Sequence, residues 1–127
     1  MRAGTRLLGS NAVASHPSAA VAWGLPAARS LLGRAWFTQR GGSHGRSNRE
    51  VRIFATPLDR QEIAELEGLR LTTPVRTVID TARVSPLEWG VAIADAALHE
   101  RLATREQLLR AAASASGRSG VSKALRA

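Results

Sequence analysis

From residue 73 onward the apolar positions recur at helical spacing, and each helical run has its own punctuation. Thr73-Pro74 sets a cap before a proline at the first helical position. "SPLE" at 85–88 and "TREQ" at 104–107 read as capping boxes, in which the first and fourth residues satisfy each other's free N–H groups. Three helices are predicted, over 74–83, 86–101 and 105–114. In the second, Leu87, Val91, Ala94 and Leu98 form a stripe flanked by Trp89 and Ile93, which is expected to face the core.

The first half is patterned differently. "SHPSAAVAWGLP" reads as a short helix, with Ser15 or His16 as cap, Pro17 in the first turn, and Gly24 and Pro26 as stops. Ala19, Ala20 and Trp23 share one face, so Trp23 is a candidate core anchor. "RAWFTQ" and "EVRIFATPL" are short, aromatic and β-branched, and read as strands joined by the glycine-rich loop "RGGSHGRSNR". In the second strand Val51 and Ile53 point to one face, Arg52 and Phe54 to the other. Asp59 and Glu62 have capping-box spacing for one helical turn. Glu67-Gly68, between "IAEL" and "LRLT", then predicts a tight hairpin.

These elements predict an α+β fold: a small antiparallel sheet from about residue 35 to 73, one N-terminal helix, and three C-terminal helices packed on one sheet face. The length of 127 residues suits a single domain, with its core over about 11–115 and flexible flanks at 1–10 and 116–127. No apolar run approaches the roughly 20 residues of a membrane span, and Asn11, His16 and Pro17 interrupt any secretory core. A cytoplasmic location with no membrane partner is expected. The absence of cysteine excludes disulfides, zinc–thiolate sites and thiol catalysis.

Charge changes the picture. The net charge is +8, and residues 1–49 hold seven arginines and no carboxylate. Such a field favours an anionic partner, nucleic acid first and an acidic protein second. Arg40, Arg46, Arg49 and Arg52 are the candidate contacts, neutralising phosphates without reading bases.

Catalytic inventories come up short. The single lysine, Lys123, has no carboxylate two residues before it, and no Asp-x-Asp or Asp-x-Glu pair is present for two magnesium ions. His16, His44 and His99 fall on separate elements without ligand spacing, and "RGGSHGRS" lacks the lysine and helix of a phosphate loop. No enzyme, cofactor, metal or small-molecule substrate is expected. Arg76 and Asp80, four apart in "LTTPVRTVID", can pair on one helix face. They read as a structural clamp fastening the strand ending at Thr73 to the helices. The alternative is an anion-binding arginine near a helix N-terminus, which Asp80 would neutralise.

"SHPSAAVAWGLP", "EGLRLTTPVRTVIDTAR" and "ADAALHERLATREQLLRAA" together resemble actinobacterial proteins of the AbiEi type, antitoxins of type IV toxin–antitoxin (abortive infection) systems. The resemblance runs from about Asn11 to Gly120. It rests on Ser15-His16, Ser18-Ala19-Ala20, Gly68, Thr73-Pro74, Arg76-Thr77, Asp80, Asp95 and Leu98. It implies a non-enzymatic transcriptional regulator. In the family, a winged helix binds operator DNA and a further domain neutralises a cognate toxin. Some relatives continue into an endonuclease-like domain of the very-short-patch-repair type. The chain begins where the winged helix would have ended and stops before any nuclease motif. A truncated regulatory part of such an endonuclease-like protein is therefore the alternative reading.

Overall fold

The computed structural model describes residues 12–40 and 45–114. The predicted flexible flanks, His44 and Lys123 lie outside them. The described residues form an α+β fold: one six-stranded sheet with four helices. The strands are β1 (Ala12–Ala14), β2 (Ala35–Gln39), β3 (Arg46–Ser47), β4 (Val51–Phe54), β5 (Ile63–Leu66) and β6 (Leu69–Thr72). The helices are α1 (His16–Ala22), α2 (Pro74–Arg83), α3 (Leu87–His99) and α4 (Arg105–Ser114), with short 3-10 turns at Arg29–Leu31 and Arg60–Glu62.

The sheet is mixed, which corrects the antiparallel expectation, and it begins before residue 35. Its order is β3-β4-β2-β1-β6-β5. Strand β1, built of three small residues, runs antiparallel to β2 and parallel to β6, with Ala14 facing Leu71. Strands β2 and β4 do not form a hairpin. They run parallel, Ala35 beside Val51 and Thr38 beside Phe54. The hairpin is β3–β4, closed where Asn48 Oδ1 accepts the N–H groups of Glu50 and Val51 at 2.8 and 2.9 Å. The asparagine side chain imitates a backbone turn within what reads as loop, so the reversal falls after Ser47. Gly45 makes it possible, because a Cβ there would stand 2.5 Å from the Ile53 carbonyl oxygen.

The second hairpin forms as expected, with Leu66 opposite Leu69. Its two-residue turn places Glu67 at φ 51° and Gly68 at φ 82°, the left-handed pair a type I′ turn requires. The helical turn before it closes its box: the Asp59 N–H donates to Glu62 Oε1 at 3.0 Å. The box at Thr104 and Gln107 also forms, at 2.9 and 3.1 Å. The one at 85–88 does not. The Ser85 hydroxyl donates back to the Thr81 carbonyl at 2.6 Å, and α3 starts at Leu87.

Two apolar clusters share α1. On the sheet side Ala12, Ala14, Phe37, Ile53 and Leu71 pack with Ala19. On the other side Ala20 and Leu25 join Val78, Ile79, Ile93, Ala97 and Leu108 from the C-terminal helices. Helix α1 thus bridges sheet and bundle, and the three C-terminal helices do not pack broadly on the sheet as predicted. Trp23 touches both clusters and donates its indole N–H to the Thr72 carbonyl at 2.8 Å. The stripe on α3 is turned by about one residue position from the predicted one. Gly90, Ile93, Ala94 and Ala97 are buried, whereas Leu87 is 53% exposed. The cause is close approach to α2, since a Cβ on Gly90 would lie 3.4 Å from the Ala82 Cβ.

Candidate functional site

Arg76 and Asp80 do meet. The Arg76 Nε donates to both carboxylate oxygens of Asp80, at 3.0 and 2.9 Å. Nη1 donates to Glu62 Oε2 at 3.0 Å, so the guanidinium also ties α2 to the 3-10 turn before β5. Helical spacing supplies Asp80; the β5–β6 hairpin supplies Glu62, by returning Thr73 to donate to the Glu62 carbonyl at 2.9 Å. Asp80 is 3% exposed, and burial pushes its carboxyl up to about 6 against the pull of Arg76. Burial also pulls Arg76 down, but Asp80 and Glu62 outweigh it and hold the guanidinium above its ordinary value. The two directions are compatible. Arg76 divides its charge between two carboxylates, and the deeper one is left undercompensated.

A second polar assembly lies on the sheet face opposite Phe37 and Ile53. His16, at φ 56°, stacks on Phe54 with centroids 4.1 Å apart and on Trp36 at 5.8 Å. Thr38 donates to Ser15 Oγ at 2.8 Å, and Ser15 lies 2.7 Å from His16 Nδ1. With Ser15 donating onward, each hydroxyl hydrogen is used and the ring proton sits on Nε2. Burial lowers the imidazole to about 3, aided by the charges of Arg76, Arg83 and Arg52. His16 is therefore a neutral ring wedged among cations. At the start of α2, Thr77 donates to the Thr72 carbonyl at 3.1 Å, so the 2.7 Å contact between their hydroxyls has Thr72 as donor.

The four arginines expected to contact nucleic acid do not form one patch. Arg40, at the C-terminal end of β2, and Arg49, before the N-terminal end of β4, sit at opposite ends of the parallel pair. Arg46 lies opposite Ile53 on the edge hairpin, and Arg52 opposite Ser47, so the two belong to opposite faces. Arg40, Arg46 and Arg49 are exposed. Arg52 is half-buried, its guanidinium 4.5 Å from the Phe54 centroid. Arg34 belongs to this edge too: Nη1 donates to Ser47 Oγ at 2.7 Å and to the Asn48 carbonyl at 3.0 Å, and the group lies over Trp36. Only Glu50 opposes these five arginines between residues 34 and 54.

A cleft of about 820 Å³ opens between the segment 56–62, α2 and α4. Arg76, Asp80 and Glu62 line it, together with Arg83 and Arg110. Sequence reasoning passed over Glu62 as a partner of Arg76, and Arg83 altogether. The signal for Arg83 was its place seven residues, two helical turns, beyond Arg76. Among the described residues no three His, Asp or Glu side chains converge as a metal site, and no helix is long and apolar enough to cross a membrane. Comparison with family models, curated proteins and solved structures found no match for the chain.

Proposed function

We propose that this domain acts by binding and not by bond-breaking chemistry, as an AbiEi-type antitoxin or regulatory module. In this reading its basic β3–β4 edge holds nucleic acid and its protein partner is a cognate toxin. The observation that supports it most is the exposure of Arg46 and Arg49 on an edge hairpin whose one carboxylate is Glu50. These side chains have no ion-pair partner among the described residues. Arg34 fixes the hairpin beneath them by its two bonds to Ser47 and Asn48. Contacts of this type neutralise phosphates and position a duplex without reading its sequence.

Salt titration of duplex binding tests the reading. Each phosphate contacted steepens the fall of log affinity with log salt by about 0.9, so Arg46 and Arg49 together account for a slope of about 2. The double variant Arg46→Gln/Arg49→Gln removes that share. Absence of duplex binding at low salt, or a slope the double variant leaves unchanged, refutes the proposal.

A further inference from the structure

The cleft beside Arg76 plays no part in the reading above, and its hydrogen-bonding inventory is one-sided. Among its acceptors, those of Asp80, Glu62 and Gln107 are engaged. Asp80 takes both contacts from Arg76 Nε, while Glu62 takes Nη1 on one oxygen and the Asp59 N–H on the other. The Gln107 side-chain oxygen takes the Thr104 N–H. The donors are left over. Arg76 Nη2 has no hydrogen-bond partner among the described residues and is not fully buried, so it is open to solvent on a residue that lines the cleft. Arg83 is exposed and lines the same cleft; it makes no hydrogen bond or ion pair among the described residues, although its charge acts on Asp80 and His16. The same lining carries the apolar side chains of Pro57, Pro74, Val75, Ile79 and Leu102.

We propose that this cleft receives an acidic peptide segment of a protein partner. One carboxylate lies against Arg76 Nη2 and Arg83, and the flanking apolar side chains lie on Pro74, Val75 and Ile79. The clamp by Asp80 and Glu62 fixes the Arg76 plane in advance, so little side-chain freedom is lost on binding. Arg76, Arg83 and Arg110 are balanced around the cleft by Asp59, Glu62 and Asp80. Arg110 is already paired with Glu106 at 2.6 Å, so the donors left over lie at the Arg76–Arg83 end, where a single carboxylate fits, while a polyanion would also meet Asp59 and Glu62. The volume, near the upper end of the range for ligand pockets, together with the mixed lining, fits a few residues of chain.

The test is a titration of the ¹⁵N-labelled protein with the capped peptide Ala-Leu-Asp-Leu-Ala and its Asn counterpart. The Asp peptide is expected to shift the Arg76 Nε resonance and the amides of residues 56–62, 74–83 and 107–114. A charge-assisted bond of ordinary strength makes the Asn peptide at least about tenfold weaker. Arg83→Gln, at an exposed position, weakens the Asp peptide similarly while leaving the spectrum folded. Arg46→Gln/Arg49→Gln leaves peptide binding intact, which separates this site from the duplex-binding edge. Equal binding of the two peptides, shifts confined to the β3–β4 edge, or none at millimolar peptide overturns the proposal. Displacement of the peptide by duplex DNA, with Arg83→Gln impairing both, also overturns it and assigns the cleft to nucleic acid.

Discussion

Replacing His16 by Asn removes a buried titrating ring while keeping a residue type that tolerates the left-handed backbone at φ 56°. His16 is held down at about 3 from 6.5, so the folded state binds its proton less readily than the unfolded chain. Its contribution is fully present above pH 6.5 and is lost as pH falls toward 3, and the whole shift is worth about 5 kcal/mol. Asp80, pushed up from 3.8 to about 6, has the opposite sign. Its contribution is fully present below pH 3.8 and is lost as pH rises through 6, and it is worth about 3 kcal/mol. Between pH 3.8 and 6 the two slopes oppose each other, so these groups leave the wild-type stability nearly level there. Urea unfolding followed by tryptophan fluorescence across this range reads the effect. The difference between wild type and variant at each pH cancels the other titrating groups. Relative to wild type, His16→Asn should gain stability as pH falls from 6 to 3.8, by up to about 3 kcal/mol. Asp80→Asn should lose stability over the same interval by a similar amount. If the profile of His16→Asn parallels wild type, the ring is not a buried neutral group and the reasoning fails.

Two further substitutions probe the framework. Gly45→Ala drives a methyl against the Ile53 carbonyl, and overpacking of this kind costs about 1–3 kcal/mol; β3 should detach first, seen as faster amide exchange at Asn48 and Val51, whose N–H groups close the hairpin, and weaker duplex binding. Arg76→Gln leaves Asp80 buried without its cation, and breaking such a pair costs about 3–5 kcal/mol; a lower urea midpoint checks it, and Arg76→Lys should recover only part because an ammonium cannot fork between Asp80 and Glu62.

The helices were legible because their signals are local. Prolines at first-turn positions and the Thr104–Gln107 box act within one turn, so α2 and α4 fall where their patterns place them. Glu67-Gly68 fixed the second hairpin by the same logic. Strand β1 has no such signal: Ala12, Val13 and Ala14 become a strand only because β2 and β6 flank them. The parallel pairing of β2 with β4 follows from that arrangement and from the Asn48 turn, not from the strands themselves. In the charged cluster, the Arg76–Asp80 contact was visible as helical spacing. Glu62, fourteen residues away, required the intervening hairpin to be built first. The polar residues around His16 are dispersed along the chain and meet only in the fold, so their burial had no sequence pattern to announce it.

The pairing of Ala14 with Leu71 has a kinetic implication. The first of the described strands sits in the middle of the sheet and needs, as its second neighbour, a strand made more than fifty residues later. During vectorial synthesis the sheet remains a half-built interlock until β6 has left the ribosome. Pairings so far apart in sequence retard folding. A nick in the backbone between β2 and β5 would therefore yield two fragments that fold only on one another.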